Sequence, residues 1–192
     1  MKRLCRISDT YEFVKSGPRD LYERAKYQLI LDWLAPFRPL KILNAGFGSG
    51  VLSFLLAADG HNVTGIDVSE ECHRQVMRRV DELRDRGTYQ WLSRCSFHVS
   101  SIESFRAPSH YDCVVATDVF EHVEDDNAVI GKTCSFVASG GIVVATVPAG
   151  PWLFGHHDRL IGHYRRYTKK QMREKLDRLI AVQTLRYFGF ST

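Results

Sequence analysis

A doubly wound α/β sheet, Rossmann-like and mostly parallel with helices on both faces, is the fold this sequence predicts. Three observations predict it. Strand-like and helix-like segments alternate along the chain. The apolar run Ile42-Leu43-Asn44-Ala45 breaks into three glycines at alternate positions, Gly46, Gly48 and Gly50. The next strand-like run ends in an acid, Asp67, about 20 residues after that turn.

The elements follow in order. Residues 1–20 are polar and contain Gly17-Pro18, so they read as an arm or lid ahead of a single domain over 21–192. Leu21, Tyr22, Ala25, Leu29, Ile30, Trp33 and Leu34 share one face of a helix over 21–34, which Pro36 ends. A strand over 41–45 feeds a helix over 50–58, and a strand over 62–67 feeds a helix over 70–85. Strands over 96–100 and 112–117 follow. Asp125 caps a helix over 126–138, and a strand over 141–147 comes next. Thr168-Lys169-Lys170-Gln171 is a capping box for a helix over 169–180, with Tyr167 and Met172 as its hydrophobic staple. A last strand is expected over 181–188.

The glycine spacing narrows the ligand. A dinucleotide fingerprint needs a small residue where Val51 stands, and a phosphate-cradling loop needs a lysine that is absent. The pattern G-x-G-x-G suits a ligand without a pyrophosphate. Asp67 can accept hydrogen bonds from both ribose hydroxyls; its alternative is to cap the helix that starts near Ser69.

On these motifs the chain resembles the class I S-adenosylmethionine-dependent methyltransferases. The match runs from Ile42 to Gly50, through Asp67, through Tyr111 to His122, and through Gly140 to Pro148. Asp158 with Gly162-His163-Tyr164-Arg165-Arg166-Tyr167-Thr168 resembles a segment that one subgroup carries after strand five. The resemblance implies S-adenosyl-L-methionine as cofactor and cofactor contacts from Asn44, Gly46, Phe47, Gly48, Ser49, Gly50, Asp67, Val68, Ser101, Ile102 and Asp118. Asn44 and Ser101 stand where the family often has acids. The family's sheet also ends in an antiparallel seventh strand. The sequence stops at Thr192 without one, so strand six is expected to be an open edge that can pair two copies into a homodimer.

Chemistry should sit beyond the carboxyl ends of the strands, where their order reverses. His122, in the loop after strand four, is the first choice of general base, with His163 and Asp158 as a second carboxylate–imidazole pair. Arg165 and Arg166 can grip an anionic group on the acceptor, or pair with protein acids. Tyr11, Phe120 and Trp152 can supply aromatic walls, or pack in the core. Glu121 and His122 with Glu124 or Asp125 offer mixed metal ligands. Acids ahead of a helix need no ion, and His156, His157, Asp158 and His163 match no common zinc spacing, so no metal is expected.

Composition sets the outer limits. The 192 residues carry a net charge of +4, with no extended basic arm, so nucleic acid is not an expected partner. No apolar run approaches membrane-spanning length. Five cysteines without a C-x-x-C pair read as free thiols in a reducing, cytoplasmic setting. Together these readings point to methyl transfer to a small molecule. Oxygen is the expected acceptor atom, on a sugar, a lipid-linked or polyketide-like metabolite, or a quinone precursor. The alternatives are a nucleotide-dependent oxidoreductase and a non-catalytic cofactor-binding or assembly module.

Overall fold

The computed structural model describes residues 20–37, 39–87 and 89–187. The arm expected over 1–20 lies almost wholly outside them. Helix α1 (Asp20–Leu34) leads to strand β1 (Lys41–Ala45), helix α2 (Val51–Ala58), strand β2 (Asn62–Asp67) and helix α3 (Glu70–Asp85). Strands β3 (Cys95–Val99) and β4 (Tyr111–Thr117) follow, then helix α4 (Asp126–Ser135) and strand β5 (Val137–Thr146). Two short helices, α5 (His156–Leu160) and α6 (Lys169–Leu176), are the last helices among the described residues.

The five strands are all parallel, in the order β3-β2-β1-β4-β5. The chain therefore winds outward from β1 to one edge, then returns to β4 on the other side of β1. The carboxyl ends of β1 and β4 flank the resulting crevice.

Alternation along the strands divides the core into two layers. Ile42, Cys113 and Val115 face one side with α1, α2 and α3. Leu43, Ala45, Val114 and Ala116 face the other with α4, Tyr167 and Met172. Seven of the eight residues of α2 are buried, because the helix shares one core cluster with the sheet, α1 and α3. Each of Phe54, Leu55 and Leu56 contributes about 1.5–3 kcal/mol by leaving water.

Both predicted helix starts form as read. Asp125 accepts from Ala128 N at 3.0 Å, and Thr168 and Gln171 cap each other reciprocally. Tyr167 and Met172 are both buried in one cluster, as a staple requires.

Three expectations need correction. The buried face of α1 is Lys26, Tyr27, Ile30, Leu31 and Leu34, while Tyr22 and Trp33 are exposed. Ile30 and Leu34 are buried as read, but the buried face is rotated from the predicted one toward Lys26, Tyr27 and Leu31. Helices α4 and α6 stop at Ser135 and Leu176, three and four residues early. The α4 boundary moves because β5 starts at Val137, before the bulge between its pairings with Tyr111 and Cys113. Residues 181–187 form no strand, so the edge beyond β4 is β5 itself. Apolar patterning cannot make a strand without a ladder partner. No described helix is long and apolar enough to cross a membrane.

Candidate active site

The glycine turn begins where β1 ends. Gly46 and Phe47 donate to Ile66 O at 2.8 and 3.2 Å, and Gly50 donates to Phe47 O at 2.8 Å. Gly46 and Gly50 have φ of 77° and 76°, a left-handed backbone that side chains resist. Space is also closed: a Cβ on Gly46 would lie 2.5 Å from Val119 Cγ2, and one on Gly50 2.7 Å from Val76 Cγ2. No side chain caps α2, whose amide end opens on the turn. Val51, at the third position of a dinucleotide fingerprint, is buried under the turn.

Asp67 closes β2 beside this turn. One carboxylate oxygen accepts from Gly48 N at 2.8 Å and the other from Ser69 N at 2.9 Å. Ser69, not Asp67, caps α3 by accepting from Cys72 N at 3.1 Å. A carboxylate has about four acceptor positions, so two remain for a ligand. Val68 and Ser49 are exposed on the same rim. Ile102 is buried, and Ser101 Oγ accepts from Ser104 N at 3.1 Å in a local turn. Two further expected cofactor contacts face inward, as Ile102 does. Phe47 packs edge-on against Phe97 at 5.1 Å, leaving only its backbone at the turn. Asn44 is 1% exposed beneath the turn, where its amide donates to Ser53 Oγ at 2.8 Å and its Oδ1 has no partner.

Across the crevice, the end of β4 carries charge. Asp118 is the one described non-glycine residue at positive φ, 54°. Lys26 of α1 pairs with its carboxylate, and Thr146 donates to it at 2.8 Å. These two contacts tie α1 and β5 to the end of β4 at the rim. Lys26 escaped sequence reading, although a lysine among the apolar residues of α1 was the available sign.

The next turn of chain, Phe120–His122, meets the segment after β5. That segment is stitched back by Tyr167 N to Pro148 O at 2.8 Å, Gly150 N to Tyr167 O at 3.0 Å and Tyr164 N to Glu121 O at 2.7 Å. It thereby brings Asp158 and His163 beside Glu121 and His122. Asp158 is buried and accepts from Arg166 Nε at 2.7 Å, Gly155 N at 2.9 Å and His163 Nδ1 at 3.0 Å. The Arg166 hydrogen bond above all holds the Asp158 carboxyl far below the usual range, against its burial. An ionised carboxylate only accepts, so His163 Nδ1 donates to it and Nε2 is turned away from it. His163 Nε2 lies 3.9 Å from Glu121 Oε1, and the His122 ring meets the His163 ring edge-on at 4.6 Å.

Glu121 is fully buried, and neither carboxylate oxygen has a hydrogen-bond partner. Burial, reinforced by Asp118, pushes its carboxyl up to about 8. Burial and neighbouring His163 push exposed His122 downward, so it is neutral near pH 7.

The expected acceptor-binding residues scatter. Phe120 is 1% exposed in the core and presents no face to an acceptor, a correction to the wall reading. Trp152 is 76% exposed on the loop after β5. Arg165 pairs with Asp126 at 3.1 Å and donates to Glu124 O at 2.7 Å, while Arg166 is held by Asp158. Both arginines are thus engaged within the protein, the structural alternative for them. Tyr11 lies outside the described residues.

A sheet wound as 3-2-1-4-5, with a glycine turn and a terminal acid facing its switch point, defines the nucleotide-binding class of α/β domains. The chain belongs to the family described as methyltransferase domain, whose pattern matches residues 19–187. It is similar to a ubiquinone biosynthesis O-methyltransferase of Nitrosomonas europaea, 32% identical over 102 residues, 53% of this chain and 41% of that protein. The enzyme of the same name from Aromatoleum aromaticum is 32% identical over 120 residues, 60% of this chain and 48% of that protein. The chain spans about half the length of these relatives. Among solved structures, magnesium protoporphyrin IX methyltransferase from Synechocystis shares the fold, with a TM-score of 0.68 and 20% identity over 88% of this chain and 81% of that one.

Proposed function

We propose that this chain transfers a methyl group from S-adenosylmethionine to an oxygen of a small-molecule acceptor. The observation that carries the reading is the glycine turn facing Asp67 at the switch point. A Cβ would fill the space at Gly46 and Gly50, and Asp67 keeps acceptor capacity for ribose hydroxyls. The names of the relatives support oxygen as the acceptor atom and a quinone precursor as the acceptor class.

When bound, the cofactor supplies an activated methyl group that leaves with no help from an acid. The protein's task is therefore alignment and exclusion of water. In this reading Gly46, Gly48, Ser49 and Gly50 lie along the cofactor backbone, Asp67 and Val68 along its ribose, and Ser101 and Ile102 beside its base. Asp118 borders the methyl-donating end. The acceptor hydroxyl must lose a proton as its oxygen forms the new bond to carbon. The cluster of Glu121, His122 and His163 faces that step, and neutral His122 is its exposed member.

Calorimetric titration tests the reading. The intact chain should bind S-adenosylmethionine and S-adenosylhomocysteine in the micromolar range. Asp67→Ala should weaken both by about 30-fold, the loss of roughly 2 kcal/mol of charge-assisted hydrogen bonding. Unchanged affinity in a folded Asp67→Ala protein would remove the ribose contact. Absence of binding to the intact chain would remove the cofactor.

A further inference from the structure

We propose that Glu121, His122 and His163 hold a divalent transition-metal ion at the acceptor side of the crevice. This deepens the methyltransferase reading and rests on it for the ion's role, though not for its binding.

Three observations carry the site. One ligand atom from each of the three residues lies within 4.8 Å of the others, close enough for small rotations to bring all three onto one ion. Glu121 is fully buried, yet both of its carboxylate oxygens lack a hydrogen-bond partner. A buried acid left so is costly unless something else satisfies it. The charge of Lys26 is already engaged by Asp118. His163 supplies the third observation. Asp158 accepts from its Nδ1 at 3.0 Å and is itself fixed by Arg166 at 2.7 Å. A carboxylate behind a histidine sets the tautomer, orients the ring and raises its basicity, the arrangement metal-binding histidines use. It leaves Nε2 directed toward Glu121.

The donors are two imidazoles and one carboxylate. That set suits zinc, manganese, iron or cobalt, whereas magnesium and calcium prefer oxygen alone. His122 is exposed, so the site has an entrance. Three protein ligands leave coordination positions open. An ion there would lower the pKa of an acceptor hydroxyl at an open position, so that its proton could pass to water while its oxygen takes the methyl carbon and the carbon–sulfur bond breaks to release S-adenosylhomocysteine. His122 then acts by ligation, and no separate base is required. Glu124 and Asp125 take no part: Asp125 is the cap of α4.

The test begins with the full chain, freed of any affinity tag and dialysed against chelator. Titration with zinc and with manganese should each show one site, with magnesium far weaker. Cobalt should give visible d–d bands of a nitrogen–oxygen site. Glu121→Gln keeps shape and should abolish the site, and exposed His122→Ala should weaken it at least about tenfold. Cofactor affinity should be unchanged in both variants, with circular dichroism confirming their fold. Uptake that is absent, or equal in Glu121→Gln, overturns the metal site and leaves the methyltransferase reading standing. Uptake without cofactor binding would uphold the site and overturn its assigned role.

Discussion

The two halves of the crevice are built from different materials. On the β1–β2 side, the surface is backbone: three glycines, one acid, and amide groups already placed by the core. On the β4–β5 side it is side chains: Asp118, Glu121, His122, Asp158, His163 and Arg166, drawn from segments about forty residues apart. The first half is nearly satisfied, with Asp67 tied at both oxygens. The second leaves the Glu121 carboxylate with no hydrogen-bond partner. The contrast fits a division of labour. A cofactor shared by many enzymes is held by conformation, which is hard to vary. An acceptor is met by side chains, which change one at a time.

The largest expected effect of a single substitution comes from breaking the backbone half. Gly46→Val adds a branched side chain at positive φ, where even its first carbon would meet Val119. It should cost about 3 kcal/mol or more in urea unfolding and abolish cofactor binding.

A second experiment sharpens the other half. Glu121 has a folded pKa near 8, above its unfolded value, so its contribution to stability is complete below about pH 4.5 and is lost as pH rises to 8. Metal-free protein in chelator should therefore lose up to about 5 kcal/mol across that window. Glu121→Gln should flatten the slope; an equal slope in both proteins would assign the loss elsewhere.

Asp126 gives a smaller effect of opposite sign. Burial raises its carboxyl, but Lys175 at 2.9 Å, Tyr167 at 2.9 Å and Arg165 outweigh that and lower it. Its stabilisation is present above about pH 4 and lost as pH falls through the folded value. Asp126→Asn should cost about 1 kcal/mol at pH 7, discounted because Lys175 and Arg165 are partly exposed, and should blunt acid unfolding.

The smallest effect is expected at Trp152. Being largely exposed, Trp152→Ala should change stability by less than about 0.5 kcal/mol and leave cofactor affinity alone. A rise in acceptor KM at constant kcat would mark it as an acceptor wall.

The same contrast explains what the sequence disclosed. The succession of strands and helices, the glycine turn and Asp67 are local patterns, so reading along the chain reached them. Caps at Asp125 and Thr168 were legible for the same reason. The charged half depends on a segment folding back across β4. Sequence could name His122, His163 and Asp158, yet could not show that Glu121 is buried between them or that Lys26 holds Asp118. Phe120 and Phe47 illustrate the converse limit. An aromatic residue beside a motif has the same letter whether it faces the ligand or the core. Residues 181–187 carried a strand-like pattern, but pairing depends on what lies alongside.

Phe47 has one more consequence. Its ring sits in the main core against Phe97, which also touches Phe54 at 5.5 Å. The glycine turn is thus a rigid outcrop of the hydrophobic interior rather than a hinged loop. Amide hydrogens of Gly46, Phe47 and Gly50 should exchange with deuterium as slowly as those of α2, through opening of the whole domain. A small molecule gripping the turn should then raise the melting temperature of the entire fold. Thermal-shift screening of compound libraries becomes a direct route to what this crevice accepts.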